Sequence, residues 1–140
     1  MLNVTENKVE GTVPVTVLRL TGELDASNYE ALIVQTQALY VDGMQNLLLD
    51  LENLSFVSSS GLVALHNMAL IMRGETLDDA QEGWRAFHAI SQDLGKASGP
   101  EAHFKLLKPQ PMVKKVLDTA GFTTIMNAFE DEATAVSSFS

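Results

Sequence analysis

Residues 49–62 read Leu49-Asp50-Leu51-Glu52-Asn53-Leu54-Ser55-Phe56-Val57-Ser58-Ser59-Ser60-Gly61-Leu62. The leucines begin upstream, at Asn46-Leu47-Leu48, and predict a strand over 46–51. A continuous apolar run of this length leaves no polar side for water, so the strand is expected to be covered on both faces. The serines predict a helix start within 58–60, because hydroxyl side chains satisfy unpaired N–H groups in a helix's first turn. That helix is expected to reach about Met72. Leu62, Val63, Leu65, Met68, Leu70 and Ile71 lie nearly all round it. Such a helix is deeply buried, or is buried on one side and meets a partner on the other. Strand, loop and helix in this order suit an α/β domain built on a parallel sheet.

Upstream, Val13-Pro14-Val15-Thr16-Val17-Leu18-Arg19-Leu20 predicts a strand rich in β-branched residues, with Pro14 near its start where it is tolerated. A weaker strand at Leu2–Val9 precedes it across a turn at Glu10-Gly11-Thr12. Thr21-Gly22-Glu23 is expected to end the second strand. Ser27-x-x-Glu30 has the pattern of a capping box and predicts a helix from Asn28. Tyr29, Leu32, Ile33, Thr36 and Tyr40 share a face of it, and Gly43 stops it.

Downstream, His103–Leu107 predicts a short strand. Pro109 and Pro111 open a third helix with Val113, Val116, Leu117 and Ala120, ended by Gly121. A last strand is expected over Thr123–Phe129 and a final helix over Glu130–Val136, with Ser137–Ser140 frayed. The order β-β-α-β-α-β-α-β-α predicts an α/β fold with a mixed, largely parallel sheet and helices packed on it. Residues 74–102 interrupt that order. Asp79-x-x-Glu82 starts an inserted amphipathic helix, Gly95 stops it, and Trp84, Phe87, Ser91 and Leu94 share one face. That face either packs on its own domain or serves as a dedicated partner surface.

The chain has 140 residues, one domain's worth, with 18 acidic and 9 basic residues for a formal net charge of −9. An excess of acid this large makes a poor nucleic-acid binder. The absence of cysteine removes disulfides, Cys-based metal sites and thiol nucleophiles. No apolar run approaches the ~20 residues of a membrane span. The first residues lack a basic and then apolar leader, so a soluble cytoplasmic protein is expected. A serine hydrolase would want glycine two residues before its serine, and Val57 stands there for Ser59; none of His66, His88 and His103 has an assignable acid partner. The histidines also lack metal-ligand spacing, and no phosphate-binding loop of P-loop type occurs. No cofactor, metal or catalytic residue is therefore expected, and the protein reads as a non-enzyme. Met68 and Met72 are core filler, and Lys114-Lys115 is a solvated helix face.

Two stretches together carry a resemblance: Leu20-Thr21-Gly22-Glu23-Leu24-Asp25, and the serine segment quoted above. They are similar to the G-x-L-D and [D/S]-S-[S/A]-G-L motifs of the STAS domain of bacterial anti-sigma factor antagonists. Lys114-Lys115-Val116-Leu117-Asp118-Thr119-Ala120-Gly121-Phe122 resembles that family's third helix and its terminal glycine. The resemblance covers about residues 1–73 and 103–137. It implies a STAS-like fold, Ser59 as phosphoacceptor, and Asp25, Ser58, Ser60 and Gly61 as partner-binding residues. It also implies a partner switch. The unphosphorylated protein would bind an anti-sigma factor that is also a serine kinase, phosphorylation would release it, and a serine phosphatase would restore binding. Ser58 stands where many antagonists have Asp, and the 74–102 insertion departs from the family. Both leave room for a second reading, an unphosphorylated STAS scaffold or small-ligand-binding module in a larger sensory or transport complex.

Read from the residues alone, Ser58-Ser59-Ser60 is a helix cap with small neighbours. The two readings are compatible, since one hydroxyl can cap while another accepts phosphate. Asp25 likewise suits local capping before Ser27. Charge gives the switch a physical basis. Eight acids and two bases fall in residues 1–72, so a partner for this half should be basic, and a phosphate would add about −1.5 to −2 charges there.

Overall fold

The computed structural model describes residues 2–74, 102–124 and 126–139. Strands β1 (Leu2–Glu10) and β2 (Pro14–Leu24) form an antiparallel hairpin. Helix α1 (Tyr29–Val41) then leads to β3 (Leu47–Val57), and α2 (Ser59–Met72) follows. Next come β4 (Phe104–Leu107), α3 (Pro111–Ala120), a 3-10 turn at Phe122–Thr124, β5 (Ala128–Phe129) and α4 (Glu132–Ser137). The strand order is β1-β2-β3-β4-β5, and every pairing except β1–β2 is parallel. The expected α/β class and mixed, largely parallel sheet are therefore present.

This order decides where the core lies. Successive parallel strands are added on the same side, and right-handed crossovers then bring all the connecting helices to one face. Leu32 of α1, Leu62, Leu65 and Met68 of α2 and Val113 and Leu117 of α3 accordingly share one core. Alternation along the strands supplies its floor, with Leu18 and Leu20 from β2, Leu47, Leu49 and Leu51 from β3 and Phe104 and Leu106 from β4. The intervening residues Val15, Val17, Leu48 and Leu107 point to the other face, where Ala135, Val136 and Phe139 cover them. The apolar run at 47–51 thus serves two cores. Every residue of α2 from Gly61 to Met72 is buried, which is the first of the two alternatives that its all-round apolar pattern leaves open.

Several boundaries differ from the sequence expectation. β2 does not stop at Leu20; it runs through Thr21-Gly22-Glu23 to Leu24. Gly22, at φ 111°, lets the strand absorb register shifts on either side and still present Leu24 to the core. β3 likewise continues six residues past Leu51, because its polar stretch pairs with this extended end of β2. The Ser27–Glu30 capping box does not form. Asn28 is the N-cap without a side-chain cap bond, and Ser27 bonds to Asp25 instead. In place of the strand expected over Thr123–Phe129, the described residues form a 3-10 turn at Phe122–Thr124 and a two-residue strand at Ala128–Phe129, since short β4 pairs only Leu106 and Leu107 with β5. Residues 137–139 do not fray: Phe139 is fully buried. The inserted helix expected within 74–102 lies outside the described residues.

Candidate functional site

β2 and β3 end level with each other, Leu24 beside Val57. Each strand passes directly into the segment that starts a helix, Asp25–Asn28 before α1 and Ser58–Gly61 before α2. Parallel strands thereby bring the two quoted motifs together at their carboxyl ends, the edge where α/β sheets place binding loops. One backbone bond joins the segments: Ser58 N–H donates to the Leu24 carbonyl at 2.9 Å.

The three serines have different surroundings. Ser58 is the N-cap of α2, in extended conformation, and its Oγ accepts from Gly61 N–H at 3.1 Å. The Ser58 carbonyl accepts from Leu62 N–H at 3.0 Å, so this residue is tied at both ends. Ser59 is exposed, and its side chain forms no hydrogen bond among the described residues. Ser60 is half-buried. Gly61 is buried against the neighbouring strand ends: a Cβ there would lie 2.9 Å from Val57 Cγ1 and 3.0 Å from both Leu24 Cγ and the Leu24 carbonyl. A side chain at 61 would force Val57 or the Leu24 segment to shift.

The Asp25 loop is braced from within. The Asp25 carboxylate accepts from both the backbone N–H and the hydroxyl of Ser27. Those bonds, the hydroxyl's first, hold its pKa below the ordinary carboxylate value. Asn28 reaches back, its Oδ1 accepting from Asp25 N–H at 3.0 Å and its Nδ2 donating to the Glu23 carbonyl at 2.9 Å. The Asp25 carbonyl accepts from Tyr29 N–H at 3.0 Å and so begins α1. Half-exposed Asp25 thus presents a fixed negative charge on the same sheet edge as Ser59. Among the described residues no cluster of three or more His, Asp or Glu is placed to hold a metal ion, and no helix is long and apolar enough to cross a membrane.

A family model of the STAS domain matches residues 6–73, which include both segments of this edge. Residues 6–73 are a STAS domain. Solved structures share its fold over nearly its whole length. An anti-sigma factor antagonist from Mycobacterium paratuberculosis superposes with a TM-score of 0.66 at 19% identity, covering 97% of this chain and 94% of that one. The anti-sigma factor antagonist SpoIIAA in its unphosphorylated form gives 0.66 at 20% identity, covering 96% and 93%. The Bacillus cell fate determinant SpoIIAA in the phosphorylated form gives 0.56 at 21% identity, covering 96% of each chain. Among curated protein sequences, none matches.

The STAS fold brings together all five residues singled out in the sequence: Asp25, Ser58, Ser59, Ser60 and Gly61. It adds three that sequence reasoning passed over. Leu24 supplies the carbonyl that bridges to Ser58 and the side chain that packs on Gly61. Asn28 braces the acidic loop, and the spacing Asp25-x-Ser27-Asn28 is a signal for such side-chain turns. Phe56 is 44% exposed, two residues before the N-cap and opposite Glu23. Its exposure follows from the strand extension that the sequence did not show.

Proposed function

We propose that this STAS-domain protein is an anti-sigma factor antagonist controlled by phosphorylation of Ser59. The observation that carries the reading is the division of labour among the serines. Ser58 is committed to capping α2, whereas Ser59, one residue on, is exposed and uncommitted. A kinase can therefore reach an acceptor hydroxyl without dismantling the helix. A phosphate on Ser59 would sit in the first turn of α2, where free N–H groups and the helix dipole favour negative charge by roughly 0.3–1 kcal/mol. The fold is expected to tolerate it.

The partner is an anti-sigma factor that is also a serine kinase, gripping the Asp25 loop and the start of α2 through Ser58, Ser60 and Gly61. Asp25 calls for a basic group opposite it. Phosphorylation places about −1.5 to −2 further charges beside that contact and drives the partner off, and a serine phosphatase resets the switch. The protein itself performs no catalysis and works in the cytoplasm. Calorimetry with the cognate anti-sigma factor tests this. Wild type is expected to bind, and Ser59→Asp to bind at least tenfold more weakly, a loss of about 1.4 kcal/mol. Equal binding by both would refute the switch.

Ser58, standing where many antagonists carry Asp, favours one other reading, an unphosphorylated STAS scaffold. That reading gains if Ser59→Ala preserves function while pull-downs recover a complex without a kinase.

A further inference from the structure

β1 is the edge strand, and all nine of its residues pair with β2, from Leu2–Gly22 to Glu10–Pro14, without a bulge. Its outer side carries no neighbouring strand among the described residues. A long, regular edge of this kind is a template for another strand, and proteins usually blunt it by shortening, proline, a bulge or a cover. β1 contains no proline and none of these devices in its pairing.

Charge is what remains, and its pattern is specific. Along one face of β1 run Leu2, Val4, Glu6, Lys8 and Glu10. A guard of like charges would repel a second copy in every register. Alternating signs do not, and they choose among registers. Two copies related by a two-fold axis perpendicular to the sheet keep each residue on its own face, so the axis must pass through a residue. An axis at Glu6 gives the fullest overlap but sets Glu6 against Glu6. An axis at Asn7 opposes Glu6 to Lys8 twice, once on each side, and still pairs residues 4–10 throughout. Parallel in-register pairing would stack like on like.

We propose that the protein forms a symmetric dimer by antiparallel β1–β1 pairing about Asn7, with two Glu6–Lys8 cross-strand ion pairs fixing the register. The occupant of the edge is a second copy of this chain, chosen by charge complementarity. Two five-stranded sheets become one continuous sheet. Residues 4–10 lie beside residues 14–20 of β2, away from the Leu24–Val57 end, so both Ser59 sites stay open. This proposal is independent of the phosphorylation switch.

Sedimentation equilibrium on the full chain tests it. Wild type is expected to be a dimer. Lys8→Glu and Glu6→Lys each turn both ion pairs into like-charge pairs and should each raise the dimer Kd at least ~10-fold. The double swap Glu6→Lys/Lys8→Glu restores the pairs and should restore the dimer. All substituted positions are exposed, and circular dichroism confirms folding of each variant. A monomeric wild type at the highest soluble concentration overturns the proposal. So does a dimer indifferent to both single changes, or one lost instead on Val34→Asp at the exposed apolar face of α1.

Discussion

At the scale of single residues, the start of α2 makes the sharpest predictions. Ser58→Ala removes the N-cap acceptor of Gly61 N–H and is expected to cost about 1 kcal/mol in chemical denaturation. Ser59→Ala, at an exposed and uncommitted position, should stay within about 0.5 kcal/mol of wild type in the same measurement. Gly61→Ala forces a methyl against Val57 and the Leu24 carbonyl and should cost about 1–3 kcal/mol. The serine motif was legible in the sequence because small hydroxyl residues before an apolar run have few other uses. Which hydroxyl caps was not legible, for that depends on the angle at which β3 delivers the chain. The Ser27–Glu30 pattern misled for the same reason: Asp25 lies two residues upstream and takes the Ser27 hydroxyl first. Short polar side chains compete for the same backbone groups, and the sequence does not say which one wins.

At the scale of elements, the second face of the sheet depends on α4, a helix of six residues. Burial of Val136 and Phe139 is supplemented by polar ties. Arg19, paired with Asp50 across β2 and β3, reaches Asp50 at 2.7 Å and Glu132 at 2.8 Å. Lys105 is buried, donates to the Ser138 carbonyl at 3.0 Å and lies 4.7 Å from the Phe139 ring centroid. Arg19→Met leaves buried Asp50 without its cation and should cost about 2 kcal/mol, less than the roughly 3–5 of a fully buried pair because Arg19 itself keeps contact with water. Asp131 caps α4 through Thr134 N–H and hydroxyl, and those bonds, the hydroxyl's first, lower its pKa from the ordinary 3.8. A depressed carboxylate stabilises the fold above 3.8 and loses that contribution as pH falls through its lower folded value. Asp131→Asn, which keeps a capping oxygen but does not titrate, should flatten that part of the acid response, read by thermal unfolding between about pH 5 and pH 2. Element order was legible throughout the described residues, because hydrophobic period and turn residues agree. The ends of β2 and β3 were not. Residues 52–55 look like a loop until Asn53 and Leu54 pair with Thr21 and Gly22, with a register shift on either side. Nor was the docking of Phe139, which depends on a sheet face assembled from three distant strands.

At the scale of the whole molecule, the net charge of −9 acquires a location. Residues 104–140 are balanced at four acids and four bases, while residues 1–72, which hold the Leu24–Val57 edge, carry eight acids and two bases. A partner that binds this edge is expected to be basic, so its affinity should fall as salt rises from about 50 to 200 mM, measured by calorimetry. The fold could be anticipated because two short motifs fall at the ends of adjacent parallel strands. Their coming together is a property of the topology, and topology follows from element order. A partner's identity has no such local signature. The most direct test of the central claim is to phosphorylate the protein with its cognate kinase and ATP and map the phosphate by mass spectrometry, in wild type, Ser58→Ala and Ser59→Ala. Phosphate on Ser59 in the first two and none in the third is the predicted result. Phosphate on Ser58 or Ser60, or on Ser59→Ala to the same extent as wild type, would contradict it.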